Sequence, residues 1–189
     1  TADTVRPALQ LVKTKPGNKI VSSCFIMSRP GELLAMGDCA INIKPTEDEL
    51  VEIAVECANC AKTFGIEPKV AMLSYSTDGS AESEKVDKVR EAVRIANEQR
   101  PDLAIDGELQ LDSAIVPAVA AKKVRRESPV AGKANVIICP DINVGNIGVK
   151  LVQNFAHADA YGPMLQGFKK IVCDCSRSAP VSELVGNVV

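Results

Sequence analysis

Apolar residues recur with two different spacings along this chain, and the two spacings alternate. Short, nearly continuous apolar runs are typical of buried strands, and apolar positions three or four residues apart are typical of amphipathic helices. Strands are predicted at residues 69–75, 103–106, 135–139 and 170–175. Helices are predicted at residues 82–99, 112–123, 146–156 and in the last residues of the chain. Because strands that alternate with helices build sheets covered on both faces, the pattern predicts an α/β fold with a largely parallel sheet flanked by helices.

The first third of the chain departs from this alternation and predicts a β-hairpin. Its elements are a short helix at 4–13, strands at 19–28 and 33–36 around Pro30-Gly31, and a further extended segment at 38–43. Proline and glycine together favour a tight turn, so the two neighbouring apolar runs are expected to pair with each other.

Thr46 and Glu49 mark the start of the next helix as a capping box. In this arrangement each of the two side chains accepts a hydrogen bond from the backbone amide of the other residue. The helix is predicted to end near Phe64, since Gly65 suits the left-handed conformation that follows many helices. Its expected buried face consists of Leu50, Ile53, Ala54, Cys57 and Ala61.

Composition places the chain among ordinary globular proteins. Of its 189 residues, 46% are apolar and 24% are charged, and the formal net charge is -2. This balance favours neither a nucleic-acid partner nor an anionic membrane surface, and no apolar run reaches the ~18 residues of a membrane span. The chain starts at Thr1 without an initiator methionine or a leader pattern. We therefore expect a cytoplasmic protein and a chain that begins inside a longer gene product.

Seven cysteines, an odd number without the spacing of a small disulfide framework, predict reduced thiols. Cys57 and Cys60 match the C-x-x-C pattern. No second pair and no suitably spaced histidine completes a zinc site, because His157 is the only histidine. No metal site is therefore predicted, and both side chains are expected to pack within a helix.

Ligands of open α/β sheets bind beyond the carboxyl ends of strands, and the first loop of this kind is residues 74–80. Its hydroxyls, its glycine and the following helix N-terminus suit an anion such as phosphate. The candidate binding residues are Ser76, Thr77, Gly79 and Ser80. A loop that only caps the following helix is an equally good interpretation of these residues taken alone.

Residues 140–150 form the second candidate loop. Its glycines permit close backbone approach and Lys150 adds a positive charge, but the G-x-G-x-x-G pattern of dinucleotide sites is absent. The candidate binding residues are Asn143, Gly145, Asn146 and Lys150.

The third candidate segment follows the last predicted strand and contains Ser176 and Arg177. The planar guanidinium group of Arg177 offers paired donors to phosphate oxygens. Glu183 lies six residues further on, in the first turns of the last predicted helix, from where its carboxylate can face the same cleft.

Several stretches in one order give this sequence a resemblance to the phosphotransacetylase family over nearly its whole length. They are residues 2–9, 69–80, 102–112, 128–136, 145–147, 162–163, 166–167 and 174–177. The resemblance implies reversible transfer of an acetyl group between acetyl phosphate and coenzyme A. These small molecules are the implied substrates, no cofactor is tightly bound, and proteins of this family usually form dimers.

The resemblance also implies a fold of two α/β domains, similar to that of isocitrate dehydrogenases, with the active site in the cleft between them. An N-terminal segment that builds most of the first domain is expected to precede this chain. Residues 1–165, including the hairpin, are expected to form the second domain. Residues 166–189 are expected to return toward the first domain.

Residue by residue, the resemblance assigns Arg6 to substrate binding, Arg177 to the phosphate group and Ser176 to stabilising the transition state. The family's proposed general base is an aspartate at the position of Glu183, whose side chain is one methylene longer. Val149 stands where a tyrosine is common, and residues 178–180 replace a Gly-Cys-Ser-like turn. These departures affect the expected substrate preference and rate more than the fold.

Three alternatives stay open on this evidence. Similar domains at the C-terminus of some bacterial malic enzymes sense acetyl-CoA without turning it over. Other relatives prefer a longer acyl group such as butyryl. An acyl-cysteine intermediate at Cys173 or Cys175 is the covalent alternative to direct attack by the coenzyme A thiolate in a ternary complex.

Overall fold

The computed structural model describes residues 2–177 and 179–188, and within them seven strands form one sheet. The strands are β1 (Ser22–Arg29), β2 (Glu32–Gly37), β3 (Lys69–Leu73), β4 (Ala104–Leu109), β5 (Val136–Ile138), β6 (Asp159–Gln166) and β7 (Val172–Cys173). The helices are α1 (Ala2–Leu11), α2 (Glu47–Thr63), α3 (Glu84–Gln99), α4 (Leu111–Ile115), α5 (Pro117–Lys123), α6 (Ile142–Phe155) and α7 (Val181–Gly186).

The sheet is mixed, with the order β4-β3-β5-β2-β1-β6-β7. Strands β2, β5, β3 and β4 are parallel neighbours, whereas β1 is antiparallel to both β2 and β6, and β7 is antiparallel to β6. The predicted α/β class and the β1–β2 hairpin are confirmed. The carboxyl ends of the parallel strands therefore lie along one edge of the sheet, beside the start of β1.

Side chains alternate between two apolar cores, one on each face of the sheet. On β3, Val70 and Met72 point into the core with α2 and α3, while Ala71 and Leu73 point into the core with α4 and α6. This alternation follows from the two-residue repeat of a strand. Helix α2 presents the predicted face to the first core, and both hydrogen bonds of the predicted capping box are present.

A smaller third core fastens α1 to the outer part of the sheet. Ala8 is buried against Val21, Leu165 and Phe168, with Val172 packed beside them. Helix α1 is therefore held close to β7 and to the segment that follows it. Within the described part of the chain, no helix is long and apolar enough to cross a bilayer.

The predicted extended segment at 38–43 is wrong, because these residues fold into a loop around a carboxylate. Asp38 is buried, and its carboxylate accepts hydrogen bonds from the backbone amides of Ala40 at 3.1 Å and Asn42 at 2.8 Å. A side chain that satisfies the amides two and four residues ahead replaces the ladder bonds of a strand.

Two helix predictions need correction. The predicted helix at 112–123 is two helices, α4 and α5, separated at Val116 because the residue before Pro117 is driven out of the helical conformation. The helix predicted to start at residue 146 starts at Ile142 instead. Asp141 caps it by accepting hydrogen bonds from the amides of Asn143 and Val144.

Strand β6 was not predicted, because Gly162 and Pro163 within it resemble a turn signal. The predicted strand at 170–175 is reduced to β7, which pairs with β6 over Leu165 and Val172. Strand β6 continues through the expected boundary between residues 165 and 166, and β7 belongs to the same sheet. The division into a second domain and a return segment stays a prediction.

Candidate functional site

Helices α6 and α7 enclose a small pocket against β1 and β6, with a cavity volume of about 40 Å³. Its lining consists of Phe25, Cys39, Asn146, Val149, Lys150, Gln153, Ala160, Gly162, Ser176 and Glu183. Four of the predicted site residues, Asn146, Lys150, Ser176 and Glu183, therefore lie around one cavity although they come from segments far apart in sequence.

Helix α6 is fixed against the sheet edge by close backbone contact. A Cβ atom added to Gly145 would overlap the carbonyl oxygen of Asp38 and lie 2.9 Å from the Cα atom of Cys39. Only glycine permits this approach. One residue later, the side-chain amide of Asn146 donates to the carbonyl oxygen of Cys39 at 3.2 Å. Lys150, one turn further along, is thereby placed on the pocket rim.

The loop that α6 contacts is organised by Asp38, at the carboxyl end of β2. Ser23 donates to this carboxylate through its backbone amide at 3.1 Å and through its hydroxyl, and the same hydroxyl accepts from the amide of Cys39 at 3.0 Å. Sequence reasoning missed Asp38 as a site-building residue. A lone acidic residue directly after a buried strand was the available signal.

Glu183 lies in the first turn of α7 and is buried. The side-chain amide of Gln153 on α6 donates to its Oε1 atom at 2.5 Å. At the other end of α7, Asn187 exchanges two hydrogen bonds with the backbone of Gly162, at 2.8 and 3.1 Å. These contacts hold the helix across β6.

Ser176 and Arg177 belong to the segment between β7 and α7, where Ser176 lines the pocket and Arg177 is exposed. Arg6 is exposed on α1 and does not line the pocket. The hydroxyl of Thr4 donates to the Asp174 carboxylate at 3.2 Å, so the two predicted arginine motifs are connected by a direct hydrogen bond. The structure therefore places the two arginine-bearing segments side by side.

The loop at 74–80 lies elsewhere on the sheet edge, at the end of β3, and its donors hold a carboxylate from the protein itself. Ser76 donates its hydroxyl to Glu108 at 2.8 Å, and the amide of Gly79 donates to the same carboxylate at 3.0 Å. Arg90 adds a third donor to Glu108 at 2.8 Å. Burial opposes ionisation of Glu108, but these donors outweigh it and lower its pKa below the ordinary value.

The other candidate residues of these two loops are also outside the pocket. Thr77 donates its hydroxyl to Ser113 at 3.1 Å, and Ser80 accepts from the Thr77 amide at 3.0 Å. Asn143 is exposed in the first turn of α6, and Gly145 is buried against the backbone of Asp38. A substrate-binding role for Ser76, Thr77, Gly79, Ser80, Asn143 and Gly145 stays a prediction.

All seven cysteines are free thiols, and five of them are buried or half-buried. Cys57 is buried and Cys60 is half-buried on α2, as expected for helix residues. Within residues 2–177 and 179–188, no group of three or more His, Cys, Asp or Glu side chains is arranged to hold a metal ion. Partial desolvation, with Cys175 and Cys60 nearby, raises the pKa of the Cys173 thiol above its ordinary value.

The structure thus shows an α/β sheet with a serine, a lysine and a carboxylate around one small pocket. The family described as phosphate acetyl/butaryl transferase matches residues 1–189, and the chain belongs to this family. It is 54% identical over 185 residues to the phosphate acetyltransferase of Haemophilus influenzae, which covers 98% of this chain and 26% of that protein.

Two solved structures are similar over nearly the whole chain. A phosphotransacetylase from Streptococcus pyogenes has a TM-score of 0.94 and 53% identity, covering 100% of this chain and 57% of that one. A branched-chain phosphotransacylase from Enterococcus faecalis has a TM-score of 0.83 and 28% identity, covering 97% of this chain and 66% of that one. The chain thus spans about a quarter of the Haemophilus influenzae protein and just over half of the Streptococcus pyogenes one.

Proposed function

We propose that the complete protein containing this chain transfers an acetyl group between acetyl phosphate and coenzyme A. The observation that carries the proposal is the meeting of Ser176, Lys150 and Glu183 around one pocket. A hydroxyl donor, a cation and a carboxylate are the three groups that acyl transfer from an anionic substrate needs. Membership of the phosphate acetyl/butaryl transferase family supports the same reaction.

The proposed reaction is direct and needs no nucleophile from the protein. The coenzyme A sulfur attacks the acetyl carbonyl carbon, a C–S bond forms, and the bond from that carbon to the phosphate oxygen breaks. Phosphate leaves with the bonding electron pair, and the thiol proton passes to Glu183. Arg177 and Arg6 stabilise charge on the phosphate, while the Ser176 hydroxyl donates to the carbonyl oxygen as it becomes an oxyanion.

The proton transfer limits how Glu183 acts. A free thiol has a pKa of ~8.5 and a free glutamate one of ~4.3, so complete transfer before attack costs roughly 6 kcal/mol. Positive charge near the thiol lowers this cost, and Lys150 on the pocket rim and Arg177 beside Ser176 are suitably placed to supply it. We therefore propose that proton transfer accompanies carbon–sulfur bond formation.

The structure bears differently on the three alternatives. The raised pKa of Cys173 disfavours its thiolate form, which weighs against an acyl intermediate at this residue. The preference for acetyl over longer acyl groups rests on the relatives named phosphate acetyltransferase, which are about 54% identical to this chain. A purely sensing role does not require the buried, hydrogen-bonded Glu183 carboxylate, so catalysis is the function that the geometry favours.

The complete protein is proposed to work in the cytoplasm as a homodimer with small-molecule substrates only. Seven free cysteines suit a reducing compartment.

The first test is acetyl-CoA formation from acetyl phosphate and coenzyme A by the complete protein and its Arg177→Ala variant. Loss of a guanidinium that stabilises the leaving phosphate is expected to lower kcat by roughly 10²–10³. Arg94→Ala is the matched control, because Arg94 is exposed on α3 and pairs only with Glu91 and Glu98 among the described residues. Acetyl-CoA binding without turnover by the wild-type protein would replace catalysis by the sensing function.

A further inference from the structure

Helix α7 carries Glu183 but is weakly held by its own packing. It has six residues, and its N-cap, Pro180, makes no side-chain capping hydrogen bond. Val181 and Val185 are mostly exposed, at 75% and 57%. A short helix with so little buried apolar surface does not by itself fix the direction of a side chain in its first turn.

Contacts with β6 at one end of α7 and with α6 at the other compensate for this weak packing. At its C-terminal end, Asn187 is paired with the backbone of Gly162, and Gly186 lies against the ring of Tyr161. In the first turn of α7, the carboxylate of Glu183 accepts a hydrogen bond from the side-chain amide of Gln153.

Gln153 itself belongs to a firmly held helix. The Asp141 cap, the close approach of Gly145 to Asp38 and the buried side chain of Val149 fix α6 against the sheet. A hydrogen bond from a neutral amide orients a carboxylate without adding a positive charge. A lysine or arginine in the same place would instead favour the ionised form strongly and oppose proton uptake.

We infer that Gln153 is a positioning residue for the proton transfer, acting through Glu183. Its amide occupies Oε1 of Glu183 and thereby directs Oε2 to the thiol proton in the pocket. This inference rests on the proposed acetyl transfer and adds to it a residue that acts through Glu183.

The test uses Gln153→Met in the complete protein, because methionine keeps the length of the side chain and removes the amide. Misdirection of a catalytic carboxylate is expected to lower kcat roughly 10- to 100-fold. KM values for acetyl phosphate and coenzyme A are expected to stay within about twofold, since the proposed role of Gln153 is to orient Glu183 and not to bind either substrate. Gln99→Met, the same change at an exposed position at the end of α3, is expected to leave both constants unchanged.

A double-variant cycle separates positioning from a general structural role. Glu183→Gln removes the group through which Gln153 acts, so adding Gln153→Met to it is expected to change kcat less than about twofold. Unchanged kcat in Gln153→Met, or an equal loss with and without Glu183→Gln, would overturn the inference and leave the proposed function standing. A wild-type protein that makes no acetyl-CoA would overturn the proposed function and the inference with it.

Discussion

Two buried carboxylates, Asp38 and Glu108, organise the edge of the sheet at the level of single residues. Only 2% of the surface of Asp38 and 3% of that of Glu108 is exposed to solvent. Each carboxylate accepts several hydrogen bonds from neighbouring donors. A buried charge persists only where hydrogen bonds or an opposite charge replace its lost hydration. Asp38 thereby fixes the conformation of residues 38–42, and Glu108 fixes that of the loop at 74–80.

Glu108→Gln is expected to destabilise the chain by roughly 2–3 kcal/mol at pH 7, because Arg90 and the Gly79 amide lose a charged partner. The pKa of Glu108 is lowered in the folded state, so its contribution is complete above the unfolded pKa of ~4.3 and is lost as the pH falls through the folded value. Urea unfolding between pH 7 and pH 3 measures this. The difference in the free energy of unfolding between the variant and the wild type should decrease as the pH falls.

The matched control for this measurement is Glu67→Gln, since Glu67 is exposed. Its difference from wild type should stay within about 0.5 kcal/mol throughout. A destabilisation in Glu108→Gln that is the same at every pH would contradict the ionic role assigned to this carboxylate.

Helix α6 is the element whose interpretation changed most between sequence and structure. Residues 140–150 were considered as a candidate binding loop, with a helix predicted only from residue 146, yet all but the first two are helical. Gly145 is needed for contact between helix and sheet edge, whereas a Cβ atom added to Gly148 would lie 3.4 Å from the terminal methyl group of Met36. Close contact with the sheet edge therefore requires glycine at position 145 and does not require it at position 148.

Alanine substitution is expected to lower stability at Gly145 and not at Gly148. Gly145→Ala forces α6 away from Asp38 and should cost about 1–3 kcal/mol in the free energy of unfolding. Gly148→Ala should be neutral or stabilising by up to ~1 kcal/mol, because alanine is the better helix former and a flexible methyl group can move aside. Chemical denaturation of both variants measures this, and equal losses at both positions would contradict the close-contact explanation.

At the scale of the molecule, the pocket is small, with a volume of about 40 Å³. This volume is far below that of coenzyme A, the proposed acetyl acceptor. The relatives are also longer, since the chain spans 57% of the Streptococcus pyogenes protein. Substrate binding is therefore expected to involve parts of the complete protein beyond this chain.

Residues 1–189 produced alone are expected to fold and to show no measurable acetyl transfer. Without the rest of the site, most of the ~7–11 kcal/mol that positioning supplies is lost. The assay compares this chain with the complete protein at equal concentration, and circular dichroism establishes that the chain is folded. Turnover by the isolated chain near that of the complete protein would contradict this prediction.

Some residues of the candidate site were predicted from the sequence, and others were not. Ser176 and Glu183 were predicted from their segment and family motif, and the structure places both at the pocket. Gln153 was not predicted, because a glutamine on a helix carries no signal until the chain that folds against it is known. The donors of residues 74–80 bind Glu108, and the sequence did not indicate this. Gly79 and Glu108, for example, are 29 residues apart in sequence and meet only in the folded chain.

The sequence by itself determined the α/β class, the hairpin and the capped helix α2. Each follows from hydrophobic periodicity and from hydrogen bonds within a few residues, which are local interactions. Only the tertiary structure decided the antiparallel half of the sheet, the inclusion of β6 and the early start of α6. These depend on pairing and packing between distant segments, as Ser22 with Gln166 in adjacent strands and Gly145 against Asp38 illustrate. Local sequence shows which segments can form strands or helices, but the partner that buries each one is chosen only when the chain folds.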